Sequence, residues 1–234
     1  MREKSRVLLD ELESHHLDVD AKVGSLSVAN RQRVEIAKAL SQNARVVIMA
    51  KEIGEEASFA IVTSTFTTPN QARWIAEMQA YQEACHPKMK WLETVEAQED
   101  NVLSFNQATT LINKYGDDLK GIFGMTSVAT PASAEAVTQA NKCGKIAVVG
   151  LATPNAMKPY VEKDCVKSVV LWNPVDLGYA AMHVLRAVAD GDLKPGATSV
   201  KAGKLGDLQV VNGSEILLGP PYTFTKENIG QFDF

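Results

Sequence analysis

Cysteine and histidine are the residues that could do chemistry outright. This 234-residue chain has three of the first and four of the second. Cys85, Cys143 and Cys165 contain no C-x-x-C pair. Neither a zinc site nor a disulfide framework is indicated, and three reduced thiols are expected. His15, His16, His86 and His183 stand in no H-E-x-x-H or H-x-x-E-H frame, which argues against a metal centre. The G-x-x-x-x-G-K-[ST] loop that cradles nucleotide phosphates is absent from the sequence. No cofactor, metal or catalytic group is expected, and the chain reads as a non-enzyme.

The elements that would position any site come next. Hydrophobic residues make up 45% and charged residues 22%, as in an ordinary globular protein, and the net charge is −4. No long basic run offers a footprint for nucleic acid. The opening "MREKSRVLLDELESHH" has only "VLL" as an apolar run. It is not a secretory signal, and no stretch approaches the length of a membrane span. As written, the chain is expected in the cytoplasm with no membrane insertion.

Residues 5–14 alternate as a short amphipathic helix, and Ser27 can cap a second over 28–41. "RVVIM" at 45–49 is β-branched and apolar, and reads as a buried strand. "AKEIGEEA" at 50–57 has no clear period and marks a seam. Strands then fit 58–63, 89–95, 119–125, 145–151 and 167–173. Helices fit 70–85, 101–115, 131–143, 155–161 and 174–191. The strands lack polar alternation, so a five-stranded, mostly parallel α/β lobe covered on both faces is expected over 57–173. Residues 198–218, with "NG" at 212–213, suggest hairpins. "NGS" at 212–214 also matches a glycosylation acceptor, but the hairpin signal is stronger.

"LSVANRQRVEIAKALSQNARVVIM" at 26–49 resembles the signature region of ATP-binding subunits of bacterial sugar ABC transporters. In that family the serine and amides at the helix start touch ATP bound on a partner subunit. Here the loop is Leu26, Ser27, Val28, Ala29 and Asn30, and it departs from the family at Ala29 and Asn30. The family's strand leads into Asp-Glu-Pro-Thr, whose carboxylates hold magnesium and the attacking water. Ala50 and Lys51 stand there instead. Without those groups and a phosphate loop, hydrolysis has no site.

Residues 57–234 resemble the C-terminal lobe of periplasmic sugar-binding proteins of ABC transporters, in the branch of rhamnose and autoinducer-2 binders. The stretches that carry this are "TTPNQARW" (67–74), "GLATPNAMKPYVEKDCVKSVVLWNPVDLGY" (150–179), "KAGKLG" (201–206) and "LLGPPYTFTKENIGQFDF" (217–234). The resemblance implies a type I periplasmic-binding-protein-like fold in which two lobes close on a sugar. It implies a small-molecule sugar as ligand, an ABC permease and ATPase as partners, and the periplasm as the family's location.

Ligands in such a fold sit at the carboxyl ends of the strands. The loops there supply Asn70, Gln71, Thr126, Ser127, Thr153, Asn155 and Asn173 as hydroxyl and amide partners, with Trp172 as a stacking face. Each has a plainer reading. Asn70 can cap the helix 71–85, Trp172 can belong to the core, and Thr153 and Asn155 can shape the turn around Pro154.

Autoinducer-2 binders place Asp where Asn70 falls, and Pro-Asp-Ala where Met125, Thr126 and Ser127 fall. Rhamnose or another deoxyhexose is therefore the favoured ligand, with an autoinducer-2-type binder as the alternative. The family's first lobe has no counterpart, so a truncated remnant is expected. The apolar face of the helix 174–190, including Leu177, Ala181, Val184, Leu185 and Val188, would then be open to self-association. Two rival readings fail on sequence. An ATPase lacks its phosphate loop, and a sugar-responsive repressor lacks a basic DNA-binding head.

Overall fold

The computed structural model describes residues 45–234 except Asn212, Ser214 and Pro220, with residues 45–48 as backbone alone. The predicted helices over 5–14 and 28–41, with Ser27, lie outside the described residues, as does the acceptor Asn212.

The first element is not the predicted strand. Arg45–Ile53 is an α-helix, α1. Met49 and Ala50 are buried in a cluster with Phe59, Ile61, Met78, Met89, Phe123, Met125 and Val149. A β-branched run has modest intrinsic preference either way, and burial against a sheet overrides it. The predicted seam at 50–57 is therefore half helix, and Gly54 follows at φ 90°.

Beyond α1 the chain alternates as expected. β1 (Ser58–Thr63), α2 (Pro69–Cys85), β2 (Lys90–Glu96), α3 (Asn101–Tyr115) and β3 (Leu119–Gly124) come first. α4 (Ala129–Gln139), β4 (Ala147–Gly150), α5 (Pro154–Glu162) and β5 (Ser168–Leu171) follow. β1 to β4 form a parallel sheet in the order β2-β1-β3-β4. The expected fifth strand is only attached to it. β5 meets the sheet through one parallel bridge, Leu151 to Val170, and pairs instead with β9 (Tyr222–Thr225). A four-residue strand already paired on one edge extends the ladder little.

Period 2 sorts the strands' side chains onto two faces. Phe59, Ile61, Phe123 and Val149 meet α1 and α2. Ala60, Val62, Ile122 and Val148, all buried, alternate with them and face α3 and α4. There the approach is close. A Cβ on Gly124 would lie 2.3 Å from the Thr130 hydroxyl, and one on Gly150 would lie 2.2 Å from the Gly124 carbonyl oxygen.

The expectation of three reduced thiols is also overturned. Cys143 and Cys165 are disulfide-bonded, with Cα atoms 4.6 Å apart, and Cys85 is free. A separation of 22 residues carries no local spacing signal; the fold brings the turn after α4 beside the turn after α5.

By contacts the described residues divide into two units. The body above, with Thr223–Phe234, is one, and Leu171–Tyr222 is the other. The second holds α6 (Pro174–Ala189) and the antiparallel strands β6 (Ser199–Lys201), β7 (Asp207–Val211) and β8 (Glu215–Leu217), which realise the expected hairpins. Ala180 is buried with Val200, Ala202 and Leu208, and Val184 packs on them. Val184 thus leaves the predicted open face, while Leu177, Leu185 and Val188 remain exposed and Val175 and Met182 join them.

Candidate functional site

In an open parallel sheet the ligand crevice lies outside the strand carboxyl ends, where the order reverses. With the order β2-β1-β3-β4 that point falls between β1 and β3. Its walls are the loops 64–68 and 125–128.

Gln71 shapes the first wall. It is buried, and its Oε1 accepts from the Ser64 backbone N–H at 2.8 Å and from the Thr63 hydroxyl. Its Nε2 donates to Glu99 Oε1 at 3.4 Å. The Thr65 hydroxyl lies 2.8 Å from that of Thr68 and 3.2 Å from that of Thr67. Phe66, between them, is 54% exposed, and its N–H donates to Glu96 Oε1. The neighbouring β2 loop is strained. Gln98 and Glu99 have φ of 51° and 57°, and the Gln98 N–H is fixed to the Ser64 carbonyl at 2.9 Å. Consecutive left-handed residues other than glycine cost about 1 kcal/mol or more each, and such strain concentrates at functional sites.

On the second wall the Thr126 hydroxyl accepts from the Ala129 N–H at 2.9 Å and so tethers the start of α4. Ser127 beside it is exposed. At the end of β4 the Thr153 hydroxyl accepts from the Ala156 N–H at 3.4 Å and caps α5. Asn155 is exposed but engaged. Its Nδ2 donates to Asp233 Oδ1 at 3.0 Å, its Oδ1 accepts from Lys158 Nζ at 3.1 Å, and its N–H donates to the Phe234 carbonyl.

In the second unit Asn173 caps α6, its Oδ1 accepting from the Val175 N–H at 2.9 Å and the Asp176 N–H at 3.3 Å. Trp172 is half-buried.

The eight predicted site residues therefore divide. Gln71, Thr126, Thr153 and Asn173 have oxygens committed to backbone N–H groups, and Asn155 is tied to the chain's last residues. Asn70 and Ser127 are exposed beside the crevice, and Trp172 is half-buried in the second unit. Asn70 is not the helix cap: Thr68 occupies that position, with Pro69 opening α2. Phe66 was missed. Its signal was an aromatic set among hydroxyls, "STFTT", directly after a strand. No group of three or more His, Cys, Asp and Glu able to hold a metal occurs among the described residues. None of their helices is long and apolar enough to cross a membrane.

Residues 36–193 match the periplasmic binding protein domain family. The chain belongs to that family. A sugar ABC transporter protein from Actinomyces odontolyticus ATCC 17982 superposes on this chain with a TM-score of 0.73 and 27% identity. The match covers 83% of this chain and 63% of that one. A solute-binding protein from Clostridium phytofermentas with bound L-rhamnose gives 0.73 at 23% identity, covering 82% and 64%. LsrB from Clostridium saccharobutylicum, in complex with AI-2, gives 0.72 at 19%, covering 84% and 67%. The last two likenesses speak to the fold alone. The chain thus spans 63% and 64% of the length of the first two.

A separate short similarity also exists. The ribose import ATP-binding protein of Chromobacterium violaceum is 53% identical over 49 residues, which are 21% of this chain and 10% of that protein. Its namesake from Corynebacterium glutamicum is 49% identical over 49 residues, 9% of its length.

Proposed function

We propose that residues 57–234 act as the carboxyl-terminal lobe of the carbohydrate-binding component of an ABC sugar importer. A rhamnose-like deoxyhexose is the ligand, and an importer permease and ATPase are the partners. The observation that carries this is the loop after β1, at the point where the strand order reverses, in which the exposed Phe66 is flanked in sequence by Thr65, Thr67 and Thr68, with the Thr65 hydroxyl within hydrogen-bond distance of the other two. A ring face with hydroxyls and amides around it suits the C–H and O–H surfaces of a sugar. Asn70 and Ser127 bond sugar hydroxyls. Gln71, Thr126, Thr153 and Asn173 hold the loops and helix starts. The Cys143–Cys165 bond supports an oxidising compartment such as the periplasm.

Residues 1–49 derive from an importer ATP-binding subunit, joined near residues 50–57. They hydrolyse no ATP, because Ala50 and Lys51 replace the carboxylates and no phosphate loop is present.

The test is an NMR titration of isotope-labelled 234-residue protein with L-rhamnose. Signals from residues 64–71 and 125–128 are expected to move, with an affinity of about millimolar. A single lobe forgoes several hydrogen bonds of about 0.5–1.5 kcal/mol each, and each 1.4 kcal/mol is tenfold. Phe66→Ala and Asn70→Ala should each abolish the shifts. Shifts confined to other residues, or none with any deoxyhexose, reject this reading.

A further inference from the structure

A second site lies at the amino edge of the same sheet, away from the sugar crevice. A cavity of about 210 Å³ opens there between the starts of β3 and β4 and the turn before β5. Lys120, Lys145 and Lys167 line it, with Glu52 of α1 and Asp164. None of the three lysines has an ion pair or side-chain hydrogen bond with a described residue. The acids near them are already engaged. Asp164 pairs with Lys226 at 2.6 Å, and Asp117 pairs with Lys142 at 2.9 Å.

Glu52 is the feature that turns a basic rim into a site. Its Oε1 accepts from the Ser168 hydroxyl at 2.9 Å, whereas its Oε2 is buried with no hydrogen-bond partner among the described residues. A buried carboxyl oxygen left unpaired is costly, so a group that satisfies it is stabilised. Burial pushes this carboxyl's pKa up, while Ser168 and Lys167 pull it down. The lysines are also held in place. Cys143 and Cys165 each stand two residues before a lysine, Lys145 and Lys167, and the disulfide ties the two turns together.

We infer that this cavity binds a phosphate group, either as inorganic phosphate or as a small phosphate monoester. Its bare oxygens accept from the three ammonium groups. Its remaining P–OH, carried by the monoanion of phosphate or of a monoester, donates to the Glu52 carboxylate at Oε2. Sulfate has the same shape and no proton at neutral pH, so it cannot donate to the carboxylate. The site is independent of the sugar reading, because it shares no residue with the β1–β3 crevice.

The experiment titrates the oxidised 234-residue protein at neutral pH and constant ionic strength with inorganic phosphate, glycerol phosphate and sulfate, followed by calorimetry. Saturable phosphate binding is expected, with sulfate weaker. Tighter binding of glycerol phosphate than of inorganic phosphate assigns the site to an ester, and the reverse to the free ion. Lys120→Ala, Lys145→Ala and Lys167→Ala should each weaken binding about tenfold, the scale of a charge-assisted hydrogen bond. All three lysines are exposed, so the variants should keep the parent melting temperature in phosphate-free buffer. E52Q should bring phosphate and sulfate to equal affinity. Parent protein that binds sulfate as tightly as phosphate, or phosphate binding that survives loss of all three lysines, overturns the proposal.

Discussion

On one face of the parallel sheet Phe59, Ile61, Phe123 and Val149 meet Met49, Met78 and Met89. On the other, a Cβ added at Gly124 would lie 2.3 Å from the Thr130 hydroxyl and one at Gly150 would lie 2.2 Å from the Gly124 carbonyl oxygen. Both faces bury their residues completely, but with different tolerance. Thioether side chains have several rotatable bonds and fill irregular gaps. Backbone pressed against backbone has no such freedom. The methionine face could therefore take up a helix whose sequence reads as a strand. The glycine face admits no equivalent change.

Adding one methyl group to each face breaks or confirms this contrast. Gly150→Ala should destabilise by about 3 kcal/mol or more, because the new Cβ meets a carbonyl oxygen that cannot retreat. Gly121→Ala makes the same addition on the other face, where the nearest atom is the flexible Met49 Sδ at 2.5 Å. It should cost less than about 1.5 kcal/mol. Urea unfolding of both variants measures the difference, and equal losses would dismiss the contrast.

A smaller effect sharpens it. The Ser133 hydroxyl of α4 is buried with no hydrogen-bond partner among the described residues. Replacing it by alanine removes an unsatisfied group without adding volume. Ser133→Ala should raise stability by about 1 kcal/mol in the same assay.

The smallest effect belongs to the methionine side and depends on pH. His86 caps the end of α2 beside Tyr81, and both ring nitrogens are buried without hydrogen-bond partners. Burial lowers its pKa below 6.5, and Glu55, 3.8 Å away, offsets this only in part. The unfolded chain then takes up the proton first. Stability is intact above about pH 6.5 and declines as pH falls from there towards the lowered folded value. His86→Gln should flatten that part of a stability-versus-pH curve; an unchanged slope would acquit His86.

The alternation from β1 to α6 was legible in the sequence because strands without polar alternation and helices opened by proline carry their own signals. Asn101–Tyr115 falls where its pattern placed it. Three features were not legible. α1 depended on what Met49 and Ala50 pack against. β5 pairs with a strand some fifty residues later in the chain. The disulfide joins cysteines 22 residues apart. At the candidate site, Thr126, Thr153 and Asn173 had the right chemistry for a ligand. A side-chain oxygen suited to a sugar hydroxyl is equally suited to the free N–H groups at a helix start. The sequence pattern does not separate those roles, whereas the structure shows each of these oxygens accepting from such an N–H group.

The Cys143–Cys165 bond has a practical corollary for spectroscopy. With that pair joined, Cys85 is the single thiol of the 234-residue chain. Burial raises its pKa, so its reaction with a maleimide dye should be slow but confined to one place, the last residue of α2. Reductant would turn a one-dye protein into a three-dye protein. Dye stoichiometry read by mass spectrometry then serves as a record of the surroundings in which each batch was made.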